Sequence, residues 1–274
     1  MQETRPVEKQ EELCWGKAHR VTFYVAVGLS LASMLIAGPV LTLPVTAWFP
    51  EGALNAMFGE ENLGAHRAHM EGATTLFWLT VIAMLAQFRR PQHKAAPLWA
   101  VAVAWPFFLG LELTHLVDPY SIIVTVLVLA VLALHPNRRP QGRITWTGGV
   151  GRAVAPVLAG GAAVYALQQT LLQITGVTGD PHVDASHYAL MAAAAVGISV
   201  SALLGSSNFP GHLISAWSAG ILTINVGVFF IGHPNQASSL GPVLGSAIVI
   251  LALLYLVVNT RTRTEPVSET ASAV

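Results

Sequence analysis

The chain has 274 residues, of which 53% are apolar and 10% charged; its mean hydropathy is +0.58 and its net charge zero. Soluble domains carry about 25% charged residues, so a soluble fold would leave too little polar surface to cover this chain, and a multi-span membrane protein is the expectation. No basic tract is present for nucleic acid, and the single cysteine, Cys14, excludes an intrachain disulfide or a thiolate metal cluster.

Residues 1–20 form a polar N-terminal tail, and the stretch from Glu3 to Arg20 is too charged for a signal-peptide core. A helix crosses the hydrocarbon core with roughly 20 apolar residues. Eight such runs follow: 21–48, 66–88, 97–116, 119–135, 153–175, 187–206, 210–232 and 240–259. The first carries Pro39 and Pro44, which predict a kink or an early end. Trp48, Trp99 and Trp146 near run ends suit the membrane interface. Residues 261–274 are polar and small and read as a disordered tail.

Lys and Arg placement gives the orientation. With eight spans, 13 of the 14 basic residues fall on one side, and only Arg67 falls elsewhere. The positive-inside rule then puts both termini in the cytoplasm of a multi-pass protein of the cell inner (plasma) membrane. Glu51, Glu60, Glu61, Asp118, Asp180 and Asp184 fall on the other side.

The halves resemble each other. HRAHMEGA at 66–73 aligns with HYALMAAA at 187–194, and ELTH at 112–115 aligns with FIGH at 230–233. The offset is 121 residues from His66 to His187 and 118 from His115 to His233. The predicted fold is all-α: eight transmembrane helices as two tandem four-helix repeats, residues 21–136 and 153–260, joined by a cytoplasmic linker at 137–152. Four spans per repeat give both halves the same orientation, so the inverted repeats of many transporters do not fit.

His66, His69, His115, His182, His187 and His233 fall at outer span ends or in outer loops, whereas His19, His93 and His135 fall near the basic residues. His66 with His115, and His187 with His233, are placed to face each other at matched depth. Two such imidazoles in a four-helix bundle take the axial positions of a haem or share a metal ion. The bland reading is an interface histidine bonded to a loop carbonyl.

The first half is richer. His66 and His69 share a helical face, and Glu112 lies three residues before His115. With Glu71 these residues make a candidate site for iron, copper or zinc, with His66, His69 and His115 as metal ligands. Glu71 and Glu112 are the candidate proton-handling, catalytic residues. For both, the structural alternative is a polar pair satisfied across helices, with Arg67 as a candidate partner. In the second half Ala192 and Phe230 stand at the positions of Glu71 and Glu112. Asn225, mid-span, reads as interhelical glue, and His182 and Asp184 read as parts of a wet acidic loop.

Two four-helix bundles with outer-face histidines resemble the haem A synthase architecture. HRAHMEGATTLF is similar to the histidine-led second span of haem–copper oxidase catalytic subunits and their shorter relatives. The resemblance implies that His66, His115, His187 and His233 ligate b-type haem. The chain departs from haem A synthases at Leu63, where they have a glutamate, and its outer loop lacks their cysteine pair. The expected function is haem binding in electron transfer or haem modification, as a membrane oxidoreductase, with the lipid bilayer and a quinone or another redox membrane protein as partners. The alternatives are a non-haem metal enzyme or metal-delivery protein, and a transporter or structural subunit without a cofactor. No span contains a lysine for a retinal Schiff base.

Overall fold

Proline, glycine and short polar loops cut this apolar chain into helices. The computed structural model describes residues 16–36, 48–50, 67–115, 117–138, 145–146, 151–177 and 179–261. His66, the prolines at 39 and 44, most of the 137–152 linker and most of both predicted tails lie outside the described residues. So does the side chain of His69.

Eight long helices occur among the described residues: α1 Lys17–Ile36, α2 Arg67–Leu85, α3 Ala95–Glu112, α4 Pro119–Leu134, α5 Gly151–Thr175, α6 His187–Gly205, α7 His212–Gly232 and α8 Gly241–Arg261. Seven are long and apolar enough to cross a membrane, and α4, with 16 residues, is shorter. A single helical turn, Pro181–Asp184, precedes α6. The described residues form no strand; Trp146 makes one isolated bridge to Ser207.

Local chemistry sets the helix ends. Asp118 caps α4 by accepting from Tyr120 N at 2.9 Å, and Pro119 supplies a first residue that needs no N–H partner. Gly211, at φ +85°, turns the chain into α7, where a Cβ would stand 2.6 Å from Lys94 Cα. Only glycine combines that backbone angle with that approach.

Helices α1 to α4 close one ring, in which each packs on the next and α4 returns to α1. Helices α5 to α8 close a second ring in the same way. The rings meet where α2 and α3 pack on α6 and α7, and α6 is the most buried helix. A Cβ on Gly72 would stand 3.0 Å from Met191 N, and one on Gly197 would stand 2.5 Å from Leu79 Cδ2. Contact thus recurs about two turns further along both helices, so α2 and α6 run parallel. Helices α3 and α7 start side by side, with Ala96 N donating to Pro210 O at 2.8 Å.

Outward faces are apolar. Val21, Val25 and Leu29 of α1, Val157, Val164 and Leu167 of α5, and Leu253 and Leu254 of α8 are all exposed. No soluble surface is built this way, whereas a hydrocarbon surround accepts it. The protein is therefore a multi-pass helical membrane protein.

Hydrogen bonds sort the loops into two ends. His19 Nε2 lies 2.7 Å from Leu134 O, His135 Nε2 lies 2.8 Å from Pro91 O, and Ser206 Oγ donates to Asn259 Oδ1 at 3.1 Å. The start of α1 and the end of α8 therefore share one end with the loop carrying Arg89, Arg90 and Lys94. His115, His182, His187 and His233 lie at the opposite end.

Candidate functional site

Glu71 lies in the second turn of α2 and is 1% exposed. A carboxyl at such a depth is costly unless donors reach it. Thr75, one turn on, donates from Oγ1 to Glu71 Oε1 at 3.2 Å, and Asn225 of α7 donates from Nδ2 to the same oxygen at 2.5 Å. Asn225 of the other ring thus meets Glu71 in a polar contact across helices, the structural alternative that the sequence offered for this carboxyl. Gly72 lets α2 approach α6 closely, and α2 also packs on α7. Asn225 is the glue the sequence predicted, and its target is the candidate catalytic carboxylate.

Glu112 ends α3 and is also buried. Ser121 Oγ donates to its Oε2, which ties α3 to α4. His115 follows in the turn after α3, and its Nε2 lies 2.9 Å from Gln173 O of α5. A carbonyl oxygen only accepts, so that nitrogen carries the proton. Glu112 and His115 therefore have separate partners.

Gln173 is a joint that sequence reasoning missed. It is fully buried; its Oε1 accepts from Ala189 N at 3.1 Å and its Nε2 donates to Val183 O at 2.9 Å. It thereby holds the first turn of α6, which begins at His187. One turn earlier, Gln169 Oε1 accepts from Ser238 Oγ at 2.8 Å, and Tyr165 OH donates to Ser238 O at 2.7 Å. The signal was present in the sequence: Tyr165, Gln169 and Gln173 recur every four residues in an apolar run, which puts them on one helical face.

His187 is 1% exposed, with its ring 5.2 Å from that of His182. His182 Nδ1 lies 3.0 Å from Asp180 Oδ1, and the backbone N–H of His182 holds the Asp180 carboxyl below its usual range. Asp184 accepts from Gly179 N at 3.0 Å. His233 follows α7, with Trp48 at 4.7 Å and Phe229 at 5.1 Å between ring centroids. His187 and His233 thus share an end of the bundle but have different ring neighbours.

A histidine that ligates metal usually spends its other ring nitrogen on a carbonyl or carboxylate. His115 has such an anchor in Gln173 O, and His182 has one in Asp180. His135 does not fit, because Nε2 is held by Pro91 O and Nδ1 accepts from Asn137 N at 3.1 Å. Among the described residues, no three His, Cys, Asp or Glu side chains meet in a group able to hold a metal ion. No family model, no curated protein and no solved structure matches this chain.

Proposed function

We propose that this is an inner-membrane protein of eight spans in two tandem four-helix repeats, holding b-type haem near the extracytoplasmic ends of its helices. The two closed rings, the parallel course of α2 and α6 and the paired starts of α3 and α7 support the repeat. Positive-inside asymmetry supports cytoplasmic termini. The observation that carries the cofactor reading is the gathering of His115, His182, His187 and His233 at one end of the bundle, with the Nε2 of His115 anchored on Gln173 O.

His66 and His115 are the proposed ligands in the first half, and His187 and His233 in the second. Bound haem supplies one-electron chemistry or is itself the group modified. This chain's residues hold and orient it. Gln173 fixes His115 and the start of α6, while Glu71, with Asn225 and Thr75, keeps a carboxyl for proton transfer inside the dry bundle. A quinone or another redox membrane protein is the proposed electron partner.

The test is a visible spectrum with metal analysis on one purified sample. The proposal expects a Soret band that is lost in the His66→Ala, His115→Ala double variant. Iron, copper or zinc without porphyrin would point instead to a metal site at His66, His69 and His115. Colourless, metal-free protein from haem-replete cells would favour the cofactor-free alternative, a transporter or structural subunit, in which His115 only bonds Gln173.

A further inference from the structure

The second ring encloses a cavity of about 280 Å³ between α5, α6, α7 and α8. Tyr165, Met191, Ala195, Thr223, Phe230 and Ile248 are among its walls. The Tyr165 hydroxyl is engaged by Ser238 O. Thr223 is different: it is 5% exposed, and its Oγ1 is buried with no hydrogen-bond partner among the described residues. Thr22, Thr80 and Thr175 turn their hydroxyls back to the carbonyl four residues earlier. Thr74, Thr125 and Thr170 are also without a hydroxyl partner, but none of them lines the cavity.

The first ring shows what is missing. At the offset that takes His115 to His233, Trp105 maps onto Thr223. At the offset that takes His66 to His187, Thr80 maps onto Ser201. Trp105 is fully buried, and its Nε1 donates to Thr80 Oγ1 at 2.8 Å. In the second ring the indole is gone, and the hydroxyls of both Thr223 and Ser201 are buried without partners. The cavity therefore stands where the first ring keeps an aromatic plug.

We propose that this cavity binds a neutral, lipid-soluble molecule with a ring-sized apolar head bearing a carbonyl, the chemical class of the lipid quinones. Size supports it. A cavity of about 150 Å³ accepts benzene, so this one suits a single substituted ring and is too small for a tetrapyrrole. Polarity supports it as well: Thr223 is a wall residue whose buried hydroxyl has no partner among the described residues, and no wall residue can pair a charge. The way in is lateral. Gly161, Leu244 and Ala247 line the cavity and are exposed, and a Cβ on Gly161 would meet nothing within 4 Å. That opening between α5 and α8 faces hydrocarbon. Thr223 lies mid-helix in α7, so its partner must carry an acceptor into the bilayer interior, and phospholipid ester carbonyls stay at the interface. The proposal rests on the cavity and on the repeat register proposed above, and needs no haem at the histidines, so it stands or falls apart from the cofactor reading.

The test uses the full chain in phosphatidylcholine nanodiscs, titrated with tetramethyl-1,4-benzoquinone or with 1,2,4,5-tetramethylbenzene, which has the same outline without carbonyls. Native mass spectrometry counts the bound molecules against empty nanodiscs. The wild type should bind one quinone saturably. Thr223→Val should weaken quinone binding roughly threefold to tenfold and leave the hydrocarbon unchanged, and Thr223→Ser should restore the quinone. Thr223→Trp should exclude both by rebuilding the plug of the first ring. No saturable quinone binding, an unchanged affinity in the near-isosteric Thr223→Val, or a phosphatidylcholine that the quinone never displaces would each overturn the proposal.

Discussion

The two rings share a helix plan and differ in what fills them. The first is plugged: Trp105 lies 5.9 Å from Phe77, 5.9 Å from Phe108 and 6.4 Å from Tyr120, ring to ring. The second holds a cavity beside Thr223. The first carries two buried carboxyls, Glu71 and Glu112, whereas the second has Ala192 and Phe230 at those positions and relies on the amides Gln169 and Gln173. Two four-helix rings thus close around different interiors. The site has to be argued residue by residue, since the layout alone gives no function.

The largest expected effect separates the rings at Gln173. Gln173→Leu leaves Ala189 N unpaired, at roughly 1–3 kcal/mol, and leaves Val183 O with Ser186 N alone. Unfolding in detergent should show the loss, and His187 should become accessible to diethyl pyrocarbonate. An unchanged melting curve would mean that the second ring does not depend on its amides.

Asn225→Ala comes next. It strips a donor from Glu71 across the ring boundary and should cost roughly 1–3 kcal/mol. The Glu71→Leu, Asn225→Leu double variant should recover most of that loss, because a buried polar pair replaced whole is often neutral. If the double variant is worse than Asn225→Ala, Glu71 has a further structural partner.

Crossings are tested by glycine. A Cβ on Gly205 would stand 2.7 Å from Ala216 N and Cα, whereas one on Gly28 meets nothing within 4 Å. Gly205→Ala should destabilise by about 1–3 kcal/mol, and Gly28→Ala should stay within about 0.5 kcal/mol of wild type. Equal melting temperatures for the two variants would remove the tight crossing of α6 and α7.

The smallest effect belongs to the basic end. Burial pushes the His135 imidazole below its ordinary 6.5. Just below pH 6.5 the unfolded chain therefore binds a proton that the folded chain refuses, and stability declines as pH falls from 6.5 toward the lower folded value. His135→Gln should flatten that slope below pH 6.5. A slope unchanged by the substitution would assign it to another group.

Much of the fold was legible, because hydrocarbon thickness fixes span length and charge fixes the loops. The eight runs match α1 to α8 to within a few residues over the described residues. The cross-ring partner of Glu71 was not legible. It depends on the close approach at Gly72 and Gly197, and a single sequence shows glycines without showing what they face. Gln169 and Gln173 were legible in spacing, but their partners Ser238, Ala189 and Val183 lie beyond the helix and carry no signal in the sequence. Phe229, one helical turn before His233, was legible in spacing, whereas Trp48 could not be foreseen, since it reaches His233 from far away in the chain.

The brevity of α4 has a consequence for the surrounding lipid. At 1.5 Å per residue its 16 residues measure about 24 Å, against about 30 Å of acyl-chain interior. Ile122, Ile123, Val126 and Leu129 turn outward along it, so in the proposed eight-span arrangement lipids on that flank compress to meet both rims. Compression is cheapest when shared. Molecules embedded in a thick, sterol-stiffened leaflet should gather flank to flank along α4, and those in a thinner sheet should disperse.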